Sequence, residues 1–436
     1  MERAKRMNRR VLIAVALVAI VIVVGLLYFF SQRPQEVKTL GFASTQLGAT
    51  AEKAFLLNLL GNFTKETGVP VDSLITSQYS DVLSRLEAEQ QSGKVTISLL
   101  GDLEGNIYLY ADRGWVTDMS KFGTLPGRTF ISSLEATSIY KGQKVFIPWM
   151  TATYVFVVNA EAFNYLPPGL TKDDVISGTS KWTYDALLAW AKNIYEKTGK
   201  KALGFPVSPS GLFHRFLHGC IYPSYTGYQV KGFDSPEAVA MWAYLKELWN
   251  YVNPASSTYS QMADPLLKEE VWIAFDHIAR IKNAVTQSPD KFYVVPVPAG
   301  PKGRGLLTVV VGLTVMKGAP APDEAWKLIE FLTRPDVQVQ TLQATGFLPT
   351  TVEAAGKVPQ GPIKSLVEGV NRELSLPDIK TSYIPPLGAQ GSQFSQIYRT
   401  AFERIVLKGE DPGAVLSELK PQLLSLFQQA GVSPDI

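Results

Sequence analysis

The sequence predicts an α/β protein whose body folds into two lobes with mainly parallel sheets, preceded by one transmembrane helix. Three observations predict this class. The chain has 436 residues, of which 46% are hydrophobic and 19% charged, and this composition can form two cores. Segments with helical periodicity alternate with short apolar segments along the body, which is typical of α/β lobes. Residues 11–30 are apolar and uncharged.

The N-terminal segment has the length of a membrane anchor. At about 1.5 Å per residue, a stretch as long as 11–30 spans a hydrocarbon core of roughly 30 Å. The basic flank is expected to stay in the cytoplasm, which makes 1–10 a cytoplasmic tail and 31–38 a polar linker, with the body outside. The basic residues of the flank are Arg3, Lys5, Arg6, Arg9 and Arg10.

A cleaved signal peptide is the alternative interpretation of this segment. Signal peptides usually have an apolar part of about 7 to 15 residues that ends in small residues. This one ends in Leu-Leu-Tyr-Phe-Phe, and no lipoprotein cysteine follows it, because Cys220 is the only cysteine of the chain. We therefore expect an uncleaved anchor and a body on the extracytoplasmic face of the plasma membrane. The single cysteine also excludes an intrachain disulfide and a Cys-rich metal site.

The charge distribution argues against nucleic acid as a partner. The formal net charge is +3, but residues 1–38 hold seven of the 42 Lys and Arg residues and two of the 39 Asp and Glu residues. The rest of the chain is therefore slightly acidic, and it lacks the basic excess that nucleic-acid binding requires.

Capping residues and periodicity define the elements of the first half. Gly68 ends the first helix, Ser80 caps the second, and Thr183 is the N-cap of a well-marked later helix, with Asp185 in its first turn. Asp102 lies at the C-terminal end of a strand, where open α/β sheets place ligand contacts. The predicted order is helices over 51–67 and 81–91, a strand over 95–100, a helix from Glu104, extended segments over 145–148 and 154–158, and a helix over 182–197.

The second half continues the alternation. A proline at the first position starts a helix after Ser235. The predicted elements that follow are strands over 271–275, 292–297 and 306–316, and helices over 277–286, 322–332, 335–344, 392–407 and 412–429.

Several stretches, in a fixed order, carry a family resemblance. They are FTKETGVPV at 63–71, YSD at 79–81, SGK at 92–94, YADRGWVTDMS at 110–120, the segment 141–159 with Pro148 and Asn159, WTY at 182–184, AGPKG at 299–303 and GFLP at 346–349. Together they resemble the family 1 extracellular solute-binding proteins of sugar ABC importers, which include the maltose-binding proteins. The chain departs from that pattern in the missing lipoprotein cysteine and in Ile97-Ser98, where many members carry an Asp-Val pair.

The resemblance implies a two-lobed fold like that of periplasmic binding proteins, with a hinge between the lobes. The ligand would be a sugar, from a monosaccharide to an oligosaccharide, that is captured in the interlobe cleft and delivered to the permease subunits of an ABC importer by hinge closure. The implied crossings lie near 151–156, 308–311 and 348–351, and the implied lobes are 39–151 plus 312–347 and 152–311 plus 348–436.

The first candidate binding segment is the strand-to-helix junction at 271–280. A sugar site combines aromatic rings with polar side chains that bind adjacent hydroxyls. Asp276 and His277 fall at the junction, and Arg280 lies one turn later on the same side. The alternative is that Asp276 is only the N-cap of the helix and Arg280 its partner.

The second candidate segment, 212–227, is dense in aromatic residues. His214, Arg215, Tyr222 and Tyr225 are candidates for the cleft, although such a stripe also suits a core. His214 and His218 have the i, i+4 spacing of a metal pair, but no third ligand is near in sequence, so we expect no metal.

The remaining candidates rest on family position, strand ends or loop composition. Trp149 is placed for stacking on a sugar, or alternatively for packing at the hinge. The rest of this group consists of Tyr79, Asp102, Gly312, Tyr383 and Gln390.

Enzymatic, sensory and non-sugar functions have less support in the sequence. It has none of the GxGxxG, Walker A, HExxH or GxSxG motifs, so we expect neither an enzyme nor a cofactor. A glycoside hydrolase needs only two carboxylates and stays open as an alternative. A binding protein for a non-sugar solute also stays open, as does a sensor ectodomain that signals through a partner.

Overall fold

The computed structural model describes residues 38–357 and 359–436. The predicted cytoplasmic tail, the anchor at 11–30 and nearly all of the linker therefore lie outside the described residues. Within the described part, no helix is both long enough and apolar enough to cross a membrane.

The strands and helices alternate along the described chain as the sequence predicts. The strands are β1 (Leu40–Ser44), β2 (Val71–Ile75), β3 (Leu99–Leu103), β4 (Ile139–Tyr140), β5 (Gln143–Lys144), β6 (Ile147–Asn159), β7 (Leu203–Gly204), β8 (Ile273–His277), β9 (Phe292–Val295), β10 (Arg304–Val315) and β11 (Ile379–Ser382).

The first group of helices is α1 (Thr50–Thr67), α2 (Tyr79–Ser92), α3 (Glu104–Asp112), α4 (Ser132–Ala136), α5 (Lys172–Ser177), α6 (Tyr184–Thr198), α7 (Phe213–Phe216), α8 (Tyr222–Thr226) and α9 (Pro236–Leu248). The second group is α10 (Ala263–Leu267), α11 (Ile278–Gln287), α12 (Pro322–Leu332), α13 (Pro335–Thr345), α14 (Val352–Ala355), α15 (Lys364–Leu374), α16 (Gly391–Phe402) and α17 (Pro412–Ala430).

Two long strands, β6 and β10, join two α/β lobes into one mixed sheet. The strand order is β2-β1-β3-β10-β6-β8-β7, with β11 beside β10 and β9 beside β6. The C-terminal part of β10 pairs with β3 in the N-terminal lobe, and its first residues pair with β11 in the C-terminal lobe. Likewise the later residues of β6 pair with β8 and β9. Both strands are therefore part of both lobes.

The expectation of mainly parallel sheets is wrong. The β1–β2, β1–β3, β7–β8 and β10–β11 pairs are parallel, but β6 runs antiparallel to β10, β8 and β9, and β10 antiparallel to β3. The two long strands β6 and β10 pass between the lobes in opposite directions and pair with each other antiparallel. Each also runs antiparallel to its neighbours in one lobe, β6 to β8 and β9, and β10 to β3. The sequence also predicted two extended segments where β6 is one buried strand of 13 residues. Pairing with β10 across the intervening residues makes it continuous.

Local capping explains where the helices start and stop. The Thr183 hydroxyl accepts a hydrogen bond from the Ala186 N–H and begins α6, as predicted, and Gly199 ends that helix with φ 71°. The predicted strand over 95–100 instead begins at Leu99. The reason is that the Glu89 carboxylate accepts the backbone N–H groups of Thr96 and Ile97, at 2.8 and 3.0 Å.

The core of the C-terminal lobe is built from aromatic rings. Phe275 on β8 packs edge-on against Phe156 on β6 and Phe216 on α7, with ring centroids 5.4 and 4.8 Å apart. Cys220 is fully buried in the same lobe, and burial raises the pKa of its thiol far above the usual range. The thiol therefore stays protonated.

Candidate functional site

A cleft of about 430 Å³ opens between the two lobes. Its volume lies in the range of small-molecule sites. The N-terminal lobe contributes α2 and α3, and the C-terminal lobe contributes α7, the segment before α16 and the first turns of α16. The side chains that make this wall both aromatic and polar are Tyr79, Asn106, Arg215, His218, Phe394 and Ser395.

Asp102 organises the N-terminal side of the cleft. Its side chain is buried and accepts hydrogen bonds from the Thr45 hydroxyl, from Asn106 Nδ2 at 2.9 Å and from the Tyr110 hydroxyl at 2.9 Å. Burial raises the pKa of Asp102, and these hydrogen bonds oppose the rise. Asp102 thus connects the end of β1 to the first turn of α3, and it orients Asn106, which lines the cleft.

Glu104 begins α3 and reaches toward the opposite lobe. Its Oε1 accepts the backbone N–H of Ile384 at 3.2 Å. Its Oε2 is buried and has no hydrogen-bond partner within the described residues. Burial raises the pKa of Glu104 to about 8, and Arg215 lies near enough for its charge to oppose that rise. Near neutral pH, Glu104 is mostly protonated and can donate as well as accept.

His214 lies between two arginines in the C-terminal lobe. Arg399 Nη2 is 2.7 Å from His214 Nδ1, and Arg215 Nε is 3.2 Å from His214 Nε2. Burial holds the pKa of His214 well below its usual value, and the charge of Arg215 lowers it further. His214 is therefore neutral at physiological pH.

His218 lies one helical turn after His214 and lines the cleft. Its Nδ1 is 3.3 Å from Gln229 Nε2, and its ring packs against those of Phe394 and Tyr398. Within the described chain no three His, Cys, Asp or Glu side chains are grouped for a metal ion. The two histidines are instead held by arginine, glutamine and aromatic neighbours.

The structure changes the interpretation of the junction at Asp276. The N-cap of α11 is His277, whose Nδ1 accepts from the Ala279 N–H at 3.3 Å, so the capping role considered for Asp276 is wrong. Asp276 is fully buried, and its carboxylate accepts the N–H groups of Met262 and His277 at 2.8 and 2.7 Å. Burial raises the pKa of Asp276 to about 7 and lowers that of His277 to about 3. Asp276 therefore holds the loop at Met262 in place.

Arg280 does not form an ion pair with Asp276. Its Nη1 donates to the carbonyl oxygens of Ser210 and Ser260, at 3.1 and 2.9 Å. This connects two loops at the edge of the C-terminal lobe. Two residues later, Lys282 lies near Glu52 of the N-terminal lobe, and burial raises the pKa of the Glu52 carboxyl group. The two lobes thus approach each other at Glu52 and Lys282 as well.

Two of the predicted aromatic contacts lie in the core. The Tyr222 hydroxyl donates to the Phe233 carbonyl at 3.0 Å and accepts from Trp242 Nε1 at 2.9 Å, with no surface exposed. The ring of Tyr225 packs against those of Tyr184 and Tyr244. Their placement favours the packing interpretation.

The remaining candidates are distributed around the cleft and the strand crossing. Trp149 is the extra residue of a β-bulge where β6 pairs with β10, and its buried ring packs edge-on against Phe42. Gly312 lies beside it in β10, where a Cβ would be 2.5 Å from the ring of Phe146. Tyr383 lines a second cavity of about 180 Å³, which Thr151 and Thr308 of the two long strands also line, and Gln390 ends a 3₁₀ turn.

Three chain segments meet at Thr151, between the lobes. Thr151 on β6 is paired with Val310 on β10, and its hydroxyl donates to the Val309 carbonyl at 2.9 Å. On its opposite side, Thr151 forms a backbone bridge with Leu348. The three segments predicted to cross between the lobes are therefore neighbours in space.

Sequence reasoning missed Asn106, Glu104 and Arg399 as residues of the cleft region. Asn106 has a detectable signal, because it lies one turn after Asp102, already recognised at a strand end. Arg399 has none in local sequence, since its partner His214 is 185 positions away.

The comparisons with known proteins agree with this architecture. The sequence profile of the family described as "Bacterial extracellular solute-binding protein" matches residues 58–364. A putative binding protein of Brucella abortus is 29% identical over 134 residues. That match covers 29% of this chain and 30% of the Brucella protein, so the chain spans less than a third of the length of this curated relative.

Solved structures share the fold over most of the chain. The GacH receptor of Streptomyces glaucescens, studied with acarbose, has a TM-score of 0.72 at 18% identity and covers 89% of this chain and 98% of its own. A solute-binding protein of Thermotoga lettingae bound to α-D-tagatose has a TM-score of 0.69 at 22% identity, with 89% and 99% covered. UgpB of Mycobacterium tuberculosis, bound to glycerophosphocholine, has a TM-score of 0.70 at 18% identity, with 90% and 99% covered. The two-lobed α/β fold is thereby confirmed.

Proposed function

The chain belongs to the bacterial extracellular solute-binding protein family, and from this premise we propose that it captures a carbohydrate between its lobes for an ABC importer. The observation that carries the proposal is the cleft itself. Aromatic and polar side chains from both lobes line it, so a ligand bound there contacts both lobes at once.

The composition of the cleft wall supports a sugar. Tyr79 offers ring surface, and Asn106 and Arg215 offer hydrogen-bonding groups for hydroxyls, while the buried rings of His218 and Phe394 form the floor beneath them. We propose Tyr79, Asn106 and Arg215 as the direct ligand contacts and His218 and Phe394 as their buried support. Structural neighbours described with acarbose and α-D-tagatose support the same class.

We further propose that ligand binding closes the lobes about the crossing at Thr151. The boundaries expected from sequence, 39–151 plus 312–347 for one lobe and 152–311 plus 348–436 for the second, are part of this proposal. The two long strands pass through the crossing and provide a backbone about which the lobes can rotate. The closed form would be the one that the permease subunits of an importer recognise.

Location is the third part of the proposal. The family is described as extracellular, which supports a body outside the cytoplasm. An N-terminal anchor at 11–30 would hold the binding protein close to its permease.

Hydrolysis, non-sugar binding and sensing have less support. The cleft carboxyl groups are buried, and the family and its structural neighbours are binding proteins, which argues against a glycoside hydrolase. UgpB with glycerophosphocholine supports keeping non-sugar solutes in the test panel. A sensor ectodomain would bind the same ligand without transport.

The experiment is a thermal-shift screen of the full chain, kept soluble in a zwitterionic detergent because maltoside headgroups are themselves sugars. The panel holds mono-, di- and oligosaccharides, with amino acids, peptides and glycerophosphodiesters as controls. A ligand at 100 times its Kd stabilises the folded protein by about 2.7 kcal/mol, which raises the Tm by a few degrees. A selective shift by sugars supports the proposal, and a shift only by another solute overturns the carbohydrate assignment. Turnover of a bound glycoside would overturn the binding-protein assignment.

A further inference from the structure

Three arginine side chains meet around one loop of the C-terminal lobe. Arg280 Nη1 donates to the Ser210 carbonyl at 3.1 Å, and Arg399 Nη2 donates to the carbonyl of the next residue, Gly211, at 2.6 Å. Arg215 follows four residues later on α7. All three side chains are half-buried, and they come from three different helices, so the fold brings them together from distant parts of the chain.

The imidazole of His214 connects two of these arginines. Arg399 Nη2 approaches Nδ1 and Arg215 Nε approaches Nε2. A guanidinium only donates, and a neutral imidazole accepts at one ring nitrogen only. One of the two contacts therefore places two N–H groups against each other. Burial lowers the pKa of Arg399, and the charge of Arg215 lowers it further, as expected for two cations held close together.

Within the described chain, none of these three arginines has a directly paired carboxylate. In the part of the chain that the structure describes, none of the three guanidinium groups has an Asp or Glu oxygen within 4.0 Å. Glu104 and Asp276 interact with the charges of Arg215 and Arg280 at longer range, but burial raises the pKa values of these carboxyl groups to about 8 and 7, which weakens the compensation near neutral pH. Charged groups withdrawn from water are ordinarily paired, and these half-buried guanidinium groups are not.

Arg215 also has an unused donor that is buried. Its Nη1 has no hydrogen-bond partner among the described residues, although the side chain lines the cleft. In the opposite lobe, Glu104 Oε2 likewise has no hydrogen-bond partner among the described residues. Leaving a buried guanidinium N–H unpaired costs free energy that a ligand oxygen would restore.

We propose that the ligand of this cleft carries an oxyanion, the carboxylate of a sugar acid or the phosphate of a sugar phosphate, bound by Arg215. The inference rests on the proposed function, from which it takes the sugar part of the ligand. The planar guanidinium group matches carboxylate and phosphate oxygens in geometry and charge. Arg280 and Arg399 do not line the cleft, but both lie close enough to His214 for their charges to lower its pKa, so they add positive potential behind Arg215.

The test is calorimetric titration of the full chain with matched pairs of ligands. D-galacturonate and its disaccharide are compared with D-galactose and its disaccharide, and glucose 6-phosphate and maltose 6′-phosphate with glucose and maltose. We expect the acidic member of one pair to bind at least about tenfold more tightly, as a charged hydrogen bond warrants. The pair that shows the preference distinguishes a carboxylate from a phosphate. The preference should decrease as the salt concentration rises.

Variants identify the group responsible. Arg215→Gln should lower the affinity for the acidic ligand about tenfold or more and change that for the neutral one much less. Arg215→Lys keeps the charge without the planar fork, and we expect an intermediate loss. Lys192→Gln removes one positive charge from an exposed pair with Glu196 and should leave both affinities unchanged. Equal Tm values in the absence of ligand show that the variants fold.

The outcomes separate this inference from the proposed function. Equal affinity for acidic and neutral sugars would overturn the oxyanion inference while leaving carbohydrate binding in place. Arg215-dependent binding of glycerol 3-phosphate without binding of any sugar would support the oxyanion site and overturn the carbohydrate assignment. Absence of binding by every acidic probe would overturn the inference.

Discussion

Thr151 and Leu348 exchange two backbone hydrogen bonds, with N–O distances of 3.0 and 2.7 Å, at the point where the chain passes between the lobes. This bridge adds a third segment to the pair formed by β6 and β10. Rotation of one lobe against its neighbour must therefore distort backbone angles in three adjacent segments while their hydrogen bonds are retained.

We predict that Thr151→Val lowers the free energy of unfolding by about 1 kcal/mol, because the Val309 carbonyl loses its buried hydroxyl donor. Thr314→Val is the matched control on β10. The Thr314 hydroxyl is buried and has no partner within the described chain, so its loss should be neutral or stabilising. Urea unfolding followed by tryptophan fluorescence measures both variants. Equal changes in the free energy of unfolding of the two variants would show that the Thr151 hydrogen bond does not stabilise the fold.

Asp276→Ala should destabilise the fold by about 2–4 kcal/mol, because two buried backbone N–H groups, of Met262 and His277, lose their acceptor. Thermal unfolding, with and without the best ligand of the screen, checks this. An unchanged Tm combined with complete loss of binding would instead identify Asp276 as a direct ligand contact.

Stability should fall as the pH rises through about 8, in part because of Glu373 on α15. Burial raises the pKa of Glu373 to about 8 from a usual value of 4.5. The folded state then binds a proton that the unfolded state releases, so its stability is greatest at low pH and is lost as pH rises toward 8. Glu373→Gln keeps the acceptor for the Val297 N–H.

The measurement is the change of the Tm with pH, determined between pH 6 and pH 9. We expect a shallower slope in Glu373→Gln than in the parent protein. Glu368→Gln is the control, since it removes an exposed carboxylate from the same helix. Parallel slopes in all three proteins would show that Glu373 does not titrate in this range.

Asp378→Ala should cost about 2 kcal/mol of stability, because it removes the carboxylate from the buried Arg304, while the partial exposure of Asp378 reduces the cost below that of a fully buried pair. Arg304 Nη1 donates to both carboxylate oxygens, at 2.7 and 2.6 Å. The exposed pair of Arg334 and Glu66 provides the comparison, and Glu66→Ala should cost less than about 1 kcal/mol. Chemical denaturation of both variants shows whether the burial of Arg304, rather than ion pairing itself, determines the loss of stability.

Local signals in the sequence predicted helices better than strand pairing. Thr183 begins α6 and Gly68 ends α1 because capping depends on residues within one turn. The start of β3 depends on Glu89, whose carboxylate takes two N–H groups from the predicted strand, and nothing near residue 95 signals this contact. The continuity of β6 depends on β10, more than 140 positions away.

The candidate site was predictable only in part, for the same reason. Arg215 lines the cleft and Asp102 supports it, and both follow from their positions in the sequence pattern. Tyr222 and Tyr225 look like cleft residues in sequence but pack in the core, because aromatic residues serve both purposes. Arg399 joins the site only through tertiary folding.

The deeply buried Cys220 makes this chain a convenient starting point for a fluorescent sensor. It is the only cysteine in the sequence, and its protonated, inaccessible thiol should not react with maleimide dyes. A cysteine introduced at the exposed Ser392, which lines the cleft, would then be the single site of labelling. Under the proposed lobe closure, a dye at that position would report the approach of the lobes as a change in its emission, without removal of any native residue from the core.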